Sequence, residues 1–205
     1  MLVLLLVGAV AIAENEVEYE TGEKIHPGLP ELSFKIFGKE LEDNTISANN
    51  IEIYKINENK QKVQEIELDA GHAHDAEQIV IIEDMNFNEY KDFRVQIGIP
   101  PGPNIPYHFW LWDKEAGIYV RASELDKLTS PTFNHANETI TTFNRASAGS
   151  SKERVYKYLD NELTLIEEVK REVIFDNDKK LWRITIKELI NGELEITEIK
   201  EEPLN

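Results

Sequence analysis

Alternation of apolar and polar positions dominates this chain. Leu32, Phe34 and Ile36 alternate with Ser33 and Lys35, Ile51 and Ile53 alternate with Asn50 and Glu52, and residues 64–68 repeat the pattern. A two-residue period puts successive side chains on opposite faces, so each run predicts a half-buried strand. Residues 79–82 are apolar throughout, which predicts a central strand covered on both faces. Phe93, Val95, Ile97 and Ile99 alternate with Arg94, Gln96 and Gly98 and predict another half-buried strand. Residues 107–112 and 117–120, joined by 113–116, read as an aromatic hairpin. Further strands fall at 138–145, 154–159, 163–169, 172–175, 181–186 and 194–196. Asp160-Asn161, residues 176–179 and Asn191-Gly192 are the turns that separate them.

Helix signals are sparse. Residues 123–128 suit a single helical turn with Ser123 as its N-cap. Four prolines within residues 100–106 cannot sit in a sheet, so that segment predicts a stiff exposed crossing. About twelve strands in succession predict an all-β antiparallel domain over residues 31–205. Hairpins of this kind suit a small β-propeller-like domain, or alternatively a β-sandwich. Residues 14–30 are polar and predict a loosely held N-terminal arm.

Composition narrows the function. With 39 acidic and 22 basic residues the formal charge is −17, the wrong sign for a nucleic-acid binder and a favourable one for basic proteins or cations. Residues 2–7 form an apolar run, Ala11-Ile12-Ala13 is a small-residue cleavage pattern, and acidic sequence starts at Glu14. Residues 1–13 therefore read as a secretory signal, with periplasmic or secreted localisation as its consequence. The run is too short to span a bilayer. Cysteine is absent, which excludes disulfides and a cysteine-linked lipid anchor.

The densest candidate chemistry is residues 84–92. Asp84, Asn86 and Asn88 offer side-chain oxygens at alternate positions, Tyr90 a backbone carbonyl, and Asp92 a closing carboxylate. Such a loop would take a hard cation, calcium. Glu89 stands where calcium loops of this type favour glycine, and two of the five ligands are neutral amides. An Asx-rich turn bonding its own backbone is the competing reading. His72 and His74 form an H-x-H pair without an identifiable third ligand, and His26, His108 and His135 are scattered. The loop serines, Ser147, Ser150 and Ser151, lie outside any nucleophile motif, so no enzyme is expected. The aromatic hairpin carries a glycine-containing tip beside the proline-rich loop, a natural protruding surface. Trp110 or Trp112, if exposed, would instead offer a sugar platform.

Several segments together resemble a known family. They are residues 51–54, 63–66, 81–93, 107–113 and 117–120, then Leu125, Leu128, residues 131–133 and 156–158. In order and spacing they are similar to the periplasmic lysozyme-inhibitor-like proteins. These serve as immunity partners of cell-wall-degrading type IV secretion effectors and are related to invertebrate-type lysozyme inhibitors. The acidic loop also resembles those of FG-GAP and other calcium-stabilised propellers. The resemblance implies a compact propeller-like fold, export, and non-enzymatic inhibition by plugging the cleft of a basic lysozyme-like hydrolase. Such inhibitors present an S-G-x-Y tip, matched here by Ala116-Gly117-Ile118-Tyr119 with alanine in place of serine. Asn104, Ala116, Gly117, Ile118 and Tyr119 are thus the candidate partner-binding residues. A calcium-stabilised adhesion or scaffold module without inhibitory activity is the alternative.

Overall fold

The computed structural model describes residues 16–56, 60–177 and 179–204. The expected signal over 1–13 lies outside them. Fourteen strands are present among the described residues. They are β1 (Glu16–Glu23), β2 (Leu32–Glu40), β3 (Ile46–Lys55), β4 (Lys62–Ala73), β5 (Val80–Glu83), β6 (Asp92–Gln96), β7 (Tyr107–Asp113) and β8 (Ile118–Arg121). The remainder are β9 (Thr132–Asn134), β10 (Thr139–Ser147), β11 (Ser150–Leu159), β12 (Glu162–Asp176), β13 (Lys179–Ile190) and β14 (Glu193–Pro203). Among the described residues helix is limited to one turn at Ala76–Ile79 and a 3-10 turn at Ser123–Leu125.

The strands form three consecutive meanders, β1–β4, β5–β8 and β9–β14, and every ladder between them is antiparallel. The all-β antiparallel expectation holds, in a sandwich-like arrangement of three sheets that do not close into a barrel. Positive-φ turn residues join several neighbours: Asp160 and Asn161 at 51° and 65°, and Asn191 and Gly192 at 53° and 90°. These are the left-handed conformations that two-residue hairpins require.

The middle sheet is covered on both faces. On one side Val80, Phe93, Val95, Trp110, Trp112 and Tyr119 meet Leu32, Phe34, Ile36, Ile51, Ile53 and Ile66 of the first sheet. On the other, Tyr107 and Phe109 join Met85, Leu125, Leu128, and Ile140 and Tyr156 of the third sheet. Alternate residues of β7 therefore enter different cores. Aromatic contacts bind the first core: Phe93 stacks on Trp110 at 5.0 Å and meets Tyr119 edge-on at 4.8 Å.

Several expectations are corrected. Residues 16–23 of the predicted loose arm form β1, which pairs with β2 from Glu16↔Lys39 to Glu23↔Leu32. The glutamates that made the segment look unstructured are carried on the edge of the sheet, where Glu18 and Glu20 meet Lys35. The apolar run 79–82 is not central: Ile79 closes the helical turn, and β5 is an edge strand. Its two-faced hydrophobicity follows from a sheet lying between two others, since Val80 enters one core and Ile81 packs on the other. The same arrangement buries every residue of β6, expected to be half-buried. Residues 163–175 form one strand, β12, where two strands, 163–169 and 172–175, were expected. Ser123 lies inside its 3-10 turn, and Ala122 is the capping position without a side-chain cap.

Candidate functional site

The acidic loop spans the connection between β5 and β6. Asp84 accepts the amides of Asn88 at 3.1 Å and Glu89 at 2.9 Å, and Asn88 Oδ1 accepts the Tyr90 amide at 2.9 Å. Phe87 and Glu89 adopt φ of 60° and 72°. Each such conformation costs a non-glycine residue about 1 kcal/mol, which the Asx bonds offset. Asp92 is fully buried, with Oδ2 accepting the Met85 amide and Oδ1 the Trp112 amide, both at 2.8 Å. Burial pushes its carboxyl up to about 7, against the pull of those amides. Asn86 Oδ1 is buried and has no donor.

Asp84, Asn86, Asn88, the Tyr90 carbonyl and Asp92 are the oxygen donors that could hold a calcium ion. Each carboxylate oxygen already accepts a backbone amide, and Asn86 supplies a bare amide oxygen. Only two carboxylates take part, and no group of three or more acidic or histidine side chains suited to a metal occurs among the described residues. A feature missed in the sequence braces the loop from outside. The His26 ring stacks on Tyr90 at 4.2 Å, Lys91 donates its amide to the Ile25 carbonyl at 2.8 Å, and Ile25 is buried. The signal was present in Ile25-His26-Pro27-Gly28, an apolar residue ahead of a tight turn.

The hairpin tip between β7 and β8 is rigid. Asp113 Oδ1 accepts the amides of Glu115 and Ala116 at 2.9 and 3.0 Å, and its backbone carbonyl accepts that of Gly117 at 2.8 Å. Those amide bonds hold the Asp113 carboxyl below its ordinary value. Gly117 has φ of 68°. Ala116 and Ile118 are exposed, and Val120 continues the same strand face at 48% exposure. β8 is an edge of its sheet, so an apolar strip lies at the border.

Tyr119 does not belong to that surface. It is 2% exposed, its hydroxyl donates to the Lys91 carbonyl at 3.2 Å, and its ring packs on Phe34, Phe93 and Trp112. Burial pushes its phenol far above the ordinary range. Gln64 of β4 reads the Tyr119 backbone like a neighbouring strand, accepting its amide at 2.8 Å and donating to its carbonyl at 2.9 Å. Asn104 also bonds to main chain. Its amide group accepts the Arg145 N–H at 2.7 Å and donates to the Arg145 carbonyl at 2.9 Å, tying the proline-rich loop to β10. Of the candidate partner contacts, residues 116–118 stand together at the tip, Asn104 is hydrogen-bonded to the Arg145 backbone, and Tyr119 is buried. Trp110 and Trp112 are buried at 7% and 8% exposure, which removes the sugar platform placed there. His72 contacts the Thr45 hydroxyl at 2.9 Å, and His74 is exposed.

No family model matches the chain, and no curated protein sequence matches it. A solved structure described as "Structure of a Xanthomonas Type IV Secretion System related protein" superposes with a TM-score of 0.63 at 15% identity. The match covers 89% of this chain and 99% of that one. At that identity the likeness establishes a shared fold. Among the described residues no helix is long and apolar enough to cross a membrane.

Proposed function

We propose that this chain is an exported, non-enzymatic binding protein that inhibits a lysozyme-like cell-wall hydrolase in the manner of an immunity protein. The observation that carries the reading is the braced tip at residues 116–118 with the exposed Ile118 and Val120 on the adjoining sheet edge. A rigid apolar projection loses little entropy on entering a cleft. The likeness to a protein described as related to type IV secretion supports it, as do the segments that resemble immunity proteins. The acidic surface suits a basic target.

The test is a cell-wall lysis assay with lysozymes of several types, run with wild type and with Ile118→Asp and Val120→Lys. Inhibition is expected for at least one lysozyme, weakened about tenfold or more in each variant by the loss of a desolvated apolar anchor. Undiminished lysis by every lysozyme, with no complex on gel filtration, would overturn the reading.

We further propose calcium as a brace for the acidic loop, held by Asp84, Asn86, Asn88, the Tyr90 carbonyl and Asp92. The bare Asn86 oxygen and the two carboxylates favour it. Calorimetric titration with calcium should give heat and raise the melting temperature, and Asp84→Ala should abolish both. Absence of heat in the wild type would dispose of this site while leaving the inhibitor reading standing.

A further inference from the structure

Arginines in this acidic chain almost all have carboxylate partners. Arg94 pairs with Glu83 at 2.8 Å, Arg154 with Glu168 at 2.7 Å and Arg183 with Glu201 at 2.8 Å, and Arg121 pairs with Asp126. Arg145 and Arg171 are the remaining two, and their guanidinium groups have no partner among the described residues. Both stand in one cross-strand row of the third sheet. Arg145 faces Ser151, Ser151 faces Arg171, and Arg171 faces Ile184. With strands about 4.8 Å apart, the two arginines rise roughly 10 Å from each other on either side of the Ser151 hydroxyl.

This row lies on the face that turns away from the middle sheet. Ile140 and Tyr156 point into the shared core, so their strands present Phe143, Arg145 and Ser151 on the opposite side. Each neighbouring row combines apolar side chains with a glutamate. Phe143, Glu153 and Val169 lie on one flank, and Val173, Trp182 and Glu202 on the other. Phe143, Arg145, Ser151, Arg171, Trp182 and Glu202 line one cavity of about 390 Å³. That volume is in the range of small-ligand sites.

We propose that this groove binds an acidic saccharide. Its carboxylate sits between Arg145 and Arg171, whose planar forks match carboxylate geometry. The C–H face of the sugar ring packs on Trp182, and hydroxyls donate to Ser151 and Glu202. A purely aromatic acid would leave those two acceptors desolvated without a donor, which disfavours it. The groove is separate from the hairpin tip, so the proposal does not rest on hydrolase inhibition.

The free sugar acid and the same unit within a polymer share this chemistry, and the experiment distinguishes them. The indole N–H resonance of Trp182, assigned through Trp182→Phe, is followed while galacturonic acid, trigalacturonate, galactose or inorganic phosphate is added to the full chain. Both acids should shift it, with the trimer tighter if a polymer is the natural source and equal if the free acid is. Galactose and phosphate should bind at least about tenfold more weakly, because each lacks half of the recognition. Arg145→Gln and Arg171→Gln should each weaken the acids by about tenfold, the loss of one charge-assisted contact, and raised salt should do the same. Both arginines are exposed, so the variants keep the fold, as circular dichroism would verify. No shift with either acid at about 20 mM, weaker than any useful affinity, would overturn the proposal. So would galactose or phosphate binding as well as the acids, or an arginine variant binding like wild type.

Discussion

The Asp92 carboxylate receives one amide hydrogen bond from Met85, at the start of the acidic loop, and another from Trp112 on the neighbouring strand. It therefore ties the loop to β7 from inside the core. Asp92→Asn keeps the shape but offers one acceptor oxygen and turns an NH₂ toward an amide donor. The expected loss is about 1–3 kcal/mol in urea unfolding, the cost of one buried group left unsatisfied. Glu168 gives a prediction in pH. Burial would raise its carboxyl, but the hydrogen bond from Arg154 and the charges of Lys152 and Arg154 prevail and hold it below its ordinary value. A carboxylate depressed in the folded state contributes stability above its unfolded pKa, and that contribution is lost as pH falls through the folded one. The urea midpoint should fall as pH drops below the ordinary glutamate value of about 4.3, and Glu168→Gln should remove that part of the slope. Glu168 could not be singled out among 39 acidic residues, because its partners come from cross-strand register. The Asp84–Asp92 spacing was legible because loop ligands are local in sequence.

Elements with alternation on one covered face were legible, and β2, β3 and β7 appear where the pattern places them. The errors lie where burial departs from one face per strand. β5 is apolar on both faces yet lies at an edge, and β12 carries charge on both faces yet runs unbroken for fifteen residues. Hydrophobicity reports how many layers cover a strand and not its rank within the sheet. Two glycines illustrate a second limit. Gly38 pairs with Ala48, which pairs in turn with Gly71, and a Cβ at Gly38 would stand 2.3 Å from the Ser47 carbonyl. Gly117 has open space around it and only its positive φ to satisfy. Gly38→Ala should therefore cost about 1–3 kcal/mol through displaced backbone. Gly117→Ala should cost about 1 kcal/mol. Thermal melts of the two variants would test the order; a Gly117 variant less stable than the Gly38 variant would contradict it.

On the scale of the molecule, three meanders follow one another in sequence, and the middle one supplies side chains to both cores. The succession of hairpins was readable, but the layering was not, since it depends on which faces meet. Charge is a property of the whole chain, and here it bears on kinetics. A formal charge of −17 sets up a long-range field that would steer the proposed basic hydrolase before any contact forms. The proposed contact at Ile118 and Val120 is apolar and local, and it governs release. The two effects should separate under salt. Between about 20 and 300 mM salt, where the screening length shortens from roughly 20 to 6 Å, the association rate constant should fall by about tenfold or more. Dissociation should change little, whereas Ile118→Asp should accelerate it at every salt concentration. Stopped-flow association and surface-based dissociation measurements would resolve these arms. An association rate insensitive to salt would mean that the acidity serves solubility alone, and the tip would then have to find its cleft without long-range guidance.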